Sequence, residues 1–230
     1  MPGKITLFCF HHAGGTERQF KSWNRQLTPS ITVVGLPVEN RFAREETIED
    51  LALNALKRLD GYDVDSFAFY GHSMGGLVAY EVCRRLHISE KRLPSKIIIG
   101  GTGAPQMIAE SRALQKLSLT NPTSQSVPRY VTQRTIAGVT RACNYNPKPL
   151  KIPVLINIIT GSRDPLVGRE EVVKWGDYSS LAPIFHEVSG DHFFHLSDNN
   201  EFFSLIQRAV LHGDNSPPLK AHDSLLSIFV

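Results

Sequence analysis

The chain has 230 residues, a formal net charge of +3, and hydrophobic and charged fractions of 41% and 20%. That length suits one α/β domain with a full core and is short for two, and the composition is that of an ordinary globule rather than a disordered or fibrous chain. No apolar stretch reaches the length of a membrane span, and the three cysteines (Cys9, Cys83 and Cys143) are odd in number without metal-type spacing, so the expectation is a cytoplasmic protein that binds no metal, membrane or nucleic acid.

The first apolar run, 5–10, reads as a strand and not as a signal peptide, because it carries no small-residue cleavage site. It leads into Phe10-His11-His12-Ala13-Gly14-Gly15, a loop whose glycines permit close backbone approach. A second strand is predicted at 32–36. Leu51, Ala52, Ala55, Leu56 and Leu59 then recur with helical spacing and mark a helix at about 48–59. A third strand, 67–70, enters Gly71-His72-Ser73-Met74-Gly75-Gly76, and a helical pattern follows through Leu77, Val78, Tyr80, Val82 and Leu86. Gly-x-Ser-x-Gly between a strand and a helix is the context of a nucleophile elbow, where a sharp turn lifts a serine hydroxyl above the sheet at a helix N-terminus. The bland alternative is a glycine-rich turn with an incidental serine. Cys9 in a strand and Cys83 in a helix read as small core residues.

A fourth strand is predicted at 96–100, and alternation then stops. Residues 104–150 carry helical pieces without a clear strand. In an open α/β sheet such an insertion emerges beside the ligand-binding ends of the strands, so it reads as a lid. From 111 to 163 there are eight basic residues and no acidic ones. Arg129, Arg134, Arg141 and Lys148 are the candidates to face an acidic or phosphorylated partner; a merely solvated basic surface is the alternative. Strands return at 154–160 and 184–188, with helices at 170–175 and 201–211. The pattern predicts a mostly parallel, doubly wound α/β sheet spanning the chain as a single domain, 1–230. Beyond it, Pro217-Pro218 breaks the last helix, and the apolar end Leu225-Leu226-Ser227-Ile228-Phe229-Val230 either packs back or docks a partner.

A serine nucleophile in this arrangement takes an acid and then a histidine, in that chain order. Asp164 follows the 154–160 strand in Gly161-Ser162-Arg163-Asp164-Pro165, and His192 follows the 184–188 strand in Ser189-Gly190-Asp191-His192. His195 is the rival base; Asp191 and Asp177 are the rival acids. The backbone N–H groups of Met74, just after the serine, and Ala13, in the first glycine loop, are the candidate oxyanion donors.

The loop Phe10-His11-His12-Ala13-Gly14-Gly15 resembles the Phe-Pro-His-Ala-Gly-Gly loop of type II thioesterases, the stand-alone editing α/β-hydrolases of nonribosomal peptide and polyketide assembly lines. The likeness continues through Trp23, Leu36-Pro37, Gly71-His72-Ser73-Met74-Gly75-Gly76, Gly161-Ser162-Arg163-Asp164-Pro165-Leu166-Val167 and Gly190-Asp191-His192-Phe193-Phe194. It departs at His11, where proline is usual, and at Pro37-Val38-Glu39-Asn40-Arg41, where the family has Pro-Gly-Arg-like residues; the lid is also shorter. The resemblance implies an α/β-hydrolase fold and hydrolysis of acyl or peptidyl thioesters. These would be carried on the phosphopantetheine arm of an acyl or peptidyl carrier protein. It implies no cofactor, and a monomer is expected. A carboxylesterase acting on small free esters and a non-enzymatic interaction protein are the competing classes.

Overall fold

The six apolar runs assemble into one parallel sheet, described in a computed structural model for residues 4–27, 29–39, 47–119 and 132–211. Its strands are β1 (Ile5–Phe10), β2 (Ile31–Gly35), β3 (Phe67–His72), β4 (Lys96–Gly100), β5 (Leu155–Gly161) and β6 (Ile184–Val188). The spatial order is β2-β1-β3-β4-β5-β6, every pair parallel. Successive side chains point to opposite faces, so β1, β3, β4 and β5 each feed two cores. Phe8, Phe10, Phe69, Ile97, Ile99, Ile156 and Ile158 belong to one. Leu7, Cys9, Ala68, Tyr70, Ile98 and Ile159 belong to the other. Coverage on both faces is why these inner strands read as continuous apolar runs; the edge strand β6 is only partly covered, with Phe185 exposed.

The helices are α1 (Trp23–Gln26), α2 (Ile48–Leu59), α3 (Met74–Ile88), α4 (Pro105–Glu110), α5 (Arg112–Ser118), α6 (Gln133–Asn144), α7 (Arg169–Val173) and α8 (Asn200–Leu211). Helices α2 and α3 pack on the first core; α1 and α8 pack on the second, where Trp23 meets Tyr70 at 4.9 Å and Phe202 at 5.3 Å between ring centroids. The α2 start is fixed by a capping box, Thr47 with Asp50. The predicted helix at 170–175 is divided: α7 gives way to a 3-10 turn, Lys174–Asp177. β3 runs two residues past its predicted end, to His72, and is buried throughout. Cys9 and Cys83 are buried, as expected of core residues. Among the described residues no helix is long and apolar enough to cross a membrane.

The inserted stretch between β4 and β5 supplies α4, α5 and α6. A capping box of Thr132 and Thr135 starts α6. At its far end the Tyr145 hydroxyl donates to the fully buried carboxylate of Glu81 on α3 at 2.7 Å, which also accepts from Arg85 Nε at 2.7 Å. That shared carboxylate ties the insertion to the helix behind the elbow.

From β1 the chain moves outward to β2 and then returns to β3 on the other side of β1. The crevice at such a reversal is where open α/β sheets bind ligands. It is very tight here. A Cβ on Gly75 would meet the Phe10 carbonyl and lie 2.7 Å from that of His11, and one on Gly71 would meet the Gly75 carbonyl. Gly75→Ala is therefore expected to lower unfolding free energy by about 3 kcal/mol, at the upper end for overpacking, since backbone rather than a side chain must move. Chemical denaturation checks this; a wild-type midpoint would mean that the approach of β1 to α3 is not set by glycine.

Candidate active site

Ser73 joins β3 to α3 with φ 52° and ψ −122°. A non-glycine residue in that region is strained and persists only where its surroundings over-determine it. They do: the Ser73 N–H donates to Gly100 O at 2.8 Å, and its carbonyl accepts from Gly76 N–H at 2.9 Å and from the Thr102 hydroxyl at 2.9 Å. Thr102 is held in turn, its carbonyl accepting from the Trp175 indole at 2.9 Å.

Asp164 lies beyond the end of β5 and His192 beyond the end of β6. Adjacent parallel strands deliver the two together, with Asp164 Oδ2 accepting from His192 Nδ1 at 2.8 Å. The Asp164 side chain is fully buried. Its other oxygen accepts from Leu166 N–H at 2.8 Å and Val167 N–H at 3.3 Å, the turn after Pro165. With Nδ1 donating to the carboxylate, the His192 tautomer leaves Nε2 as the acceptor. The rivals lie elsewhere. Asp191 is exposed and accepts from the Phe193 N–H of its own loop at 2.8 Å. Asp177 is exposed at the end of the 3-10 turn, beside Gln106. His195 is buried and turned toward His12, with 3.2 Å between ring nitrogens.

Ser73 and His192 line one cavity with Ala13 and Met74. Met74 is the first residue of α3, where backbone N–H groups have no partner within the helix. The opposite wall is apolar: Leu77, Ile108, Leu114, Val139 and Ala142, four of them from the insertion. Helix α6 comes down directly on the candidate oxyanion loop, since a Cβ on Gly138 would lie 2.6 Å from Ala13 Cβ.

The basic candidates divide. Arg134 donates to Glu39 at 2.6 Å and to the Gly15 carbonyl at 3.1 Å, and Arg141 to Glu39 at 3.2 Å. Both are thus engaged by an internal carboxylate from the loop after β2, at the position where the sequence departs from the Pro-Gly-Arg pattern. Lys148 is exposed, as are Arg112 and Lys151. Arg129 and the C-terminal stretch 215–230 lie outside the described residues.

Sequence reading weighed His195 only as a rival base and His12 only as part of a loop, and it gave His72 no role; it did not see that these imidazoles pack together. His72 is fully buried, its Nε2 donating to the His192 carbonyl at 2.7 Å and its Nδ1 facing the Tyr70 hydroxyl at 3.0 Å. Five histidines, His11, His12, His72, His192 and His195, crowd this end of the sheet. Their closeness in the sequence, two pairs of neighbours or near neighbours around known motifs, was the available signal. Burial, then the neighbouring His11 and His192, lowers His12 from 6.5 to about 4. Burial also pushes His195 and His72 well down, reinforced by the surrounding imidazoles.

A family model described as a thioesterase domain matches residues 5–210. The chain is 25% identical over 211 residues to thioesterase PikA5 of Streptomyces venezuelae, covering 83% of this chain and 75% of that protein. It is 24% identical over 217 residues to gramicidin S biosynthesis protein GrsT of Aneurinibacillus migulanus, covering 83% of each. RedJ, a thioesterase from the prodiginine biosynthetic pathway in Streptomyces coelicolor, shares the fold with a TM-score of 0.73 at 22% identity, over 90% of this chain and 91% of that one.

The buried rings give a stability prediction. Unfolding restores ordinary imidazole behaviour, so between about pH 6.5 and pH 4 the unfolded chain holds the extra protons and stability falls as pH falls. His12 alone should remove about 2 kcal/mol between pH 8 and pH 5 by linkage. His72 and His195 act in the same direction. Urea unfolding across that range checks it, and a flat profile would show that the rings are not buried as neutral groups.

Proposed function

Because the chain belongs to the thioesterase domain family, we propose that this thioesterase uses Ser73, His192 and Asp164 to release acyl or peptidyl groups from the phosphopantetheine arm of carrier proteins, as a stand-alone type II enzyme of a peptide or polyketide assembly line. The observation that carries the site assignment is the single cavity shared by Ser73, His192, Ala13 and Met74, with Asp164 bonded to the far side of the imidazole.

The chemistry follows from the geometry. His192 Nε2 takes the Ser73 proton as Oγ attacks the thioester carbonyl. The resulting oxyanion is received by the N–H groups of Ala13 and Met74, and the partial positive charge of the α3 N-terminus favours it. Asp164 stabilises the imidazolium without taking its proton. Collapse breaks the C–S bond; thiolate leaves and is protonated by His192, leaving an ester on Ser73. His192 then deprotonates water, which attacks that ester; the acyl C–Oγ bond breaks, His192 returns the proton to Ser73 Oγ, and the carboxylic acid is freed. All of these groups come from one chain, so a monomer suffices. The apolar wall from α4, α5 and α6 supports the reading of the insertion as a lid over the acyl group within a single domain. Three free thiols, Cys9, Cys83 and Cys143, are consistent with a cytoplasmic setting.

Ser73→Ala is expected to cut hydrolysis on the order of 10⁶-fold, and His192→Ala to cost far more than His195→Ala. Intact-mass detection of an acyl group on Ser73 tests the same step; turnover near wild type in Ser73→Ala would overturn it.

Carrier attraction is assigned to the exposed Arg112, Lys148 and Lys151, with Arg134 and Arg141 already facing Glu39. Exposed charges act over a Debye length of about 8 Å at physiological salt. Reversing Arg112 and Lys148 to Glu should lower kcat/KM for an acyl-carrier substrate several-fold and hardly change it for a small acyl thioester, and the gap should close as salt rises. Equal effects on both substrates would make this face only a solvated basic surface.

A further inference from the structure

The groups that must act on one carbonyl come from loops far apart in the sheet. Ala13 follows β1, His192 follows β6, and three strands lie between them. No strand pairing can hold those two loops in register. Buried imidazoles bridge the gap instead.

The bridge can be followed atom by atom. A carbonyl only accepts, so His72 Nε2 carries the proton it gives to His192 O, and His72 Nδ1 accepts from the Tyr70 hydroxyl. His72 is thereby a neutral ring of fixed tautomer. The His195 ring lies flat on it, centroids 3.5 Å apart and planes 22° apart. On its other side His195 Nε2 is 3.2 Å from His12 Nδ1 and 3.4 Å from Gln19 Nε2. His12 immediately precedes Ala13, and its ring packs edge-on against Phe193 at 5.2 Å, next to His192. His195 Nδ1 is buried with no hydrogen-bond partner among the described residues. An unmet buried nitrogen is a cost that a leucine of similar size would not carry, so packing alone does not account for a histidine here.

We propose that His195 is a positioning residue: bonded to His12 and stacked on His72, it locks the loop that carries His192 to the loop that presents the Ala13 N–H. The inference rests on the assignment of Ser73 and His192 above. The base must reach Oγ while the oxyanion donors meet the carbonyl oxygen, and a displacement of about 1 Å between such groups costs on the order of 10²-fold in rate. A dry stack of planar, neutral rings resists that displacement because each ring has only two side-chain torsions and all are packed.

The test uses the full-length enzyme and an acyl thioester of N-acetylcysteamine. His195→Leu should lower kcat about 10- to 100-fold with KM within about threefold, as expected for lost alignment rather than lost binding. Its thermal midpoint should be unchanged or higher, because the unmet nitrogen is gone. His195→Gln, which can again bond His12, should recover most of kcat. His12→Ala breaks the same contact from the half-buried side and serves where the His195→Leu protein does not fold; combined with His195→Leu it should add little, since both remove one link. Wild-type kcat in a stable His195→Leu enzyme, a fall in kcat that tracks a fall in thermal midpoint, or fully additive effects would each overturn the role. Ser73→Ala run alongside separates the two readings: if it is inert while His195→Leu is at the wild-type rate, only the positioning role fails, and if it is active the site assignment fails first.

Discussion

Everything at the active end of this molecule depends on how closely α3 can approach the strands that flank its start. The backbone of Gly75 runs against the carbonyls of Phe10 and His11, and Gly71 against Gly75. With no Cβ at either position, the N-terminus of α3 sits directly over the crevice between β1 and β3. That approach goes with a Ser73 φ of 52°, and the strain is contained by a hydrogen bond from Ser73 N–H to the Gly100 carbonyl and by those its own carbonyl accepts from Gly76 and Thr102. The same approach brings Met74 and Ala13 to one cavity. One steric constraint thus serves the proposed nucleophile, the proposed oxyanion donors and the helix dipole together.

Around that point most of the imidazoles are withdrawn from solvent. His11, His72, His192 and His195 are all buried. Only His192 among these rings has a carboxylate bonded to it, the fully buried Asp164. That asymmetry separates their tasks. An imidazole that must become positive during a reaction needs a counter-charge, whereas buried rings without one resist protonation, which suits the positioning role proposed for His195. The pushed-down values of His12, His72 and His195 express the same buried environment in which Asp164 is bonded to His192.

The insertion is held at two places by carboxylates that belong to the main domain. Glu81 receives Tyr145 at the end of α6, and Glu39 receives Arg134 and Arg141 along it. Glu81 is fully buried with Arg84 and Arg85 beside it, so its contact is part of the fixed frame. Arg134 is half exposed, and an ion pair there is weak and screened by salt. The helix over the cavity is thus tied to the rest of the chain at both ends, by a buried carboxylate at one and by a partly exposed ion pair and the Gly15 carbonyl at the other. Its close point is Gly138 against Ala13, in the candidate oxyanion loop.

The sequence by itself determined the parts whose cause is local. Six runs bounded by glycine and proline marked the strands, although the edge strand β6 is only partly covered; helical spacing placed α2 and α8, and Gly71-His72-Ser73-Met74-Gly75 between a strand and a helix announced the sharp turn at the serine. It also put Asp164 and His192 just past strand ends, because strand-to-loop signals are local too. The short helix at Trp23 escaped it, since one turn carries no readable period. What only the tertiary structure decided is partnership. Asp191 adjoins His192 in the chain but bonds its own loop, while Asp164, 28 residues away, takes the ring. Arg134 looked free to face a partner until Glu39, 95 residues earlier, was folded onto it. His12 and His195 meet across 183 residues. Such contacts are set by strand order and by which loops the sheet brings to one edge, and neither composition nor periodicity encodes those distances; they exist only once the parallel sheet has closed around its two cores.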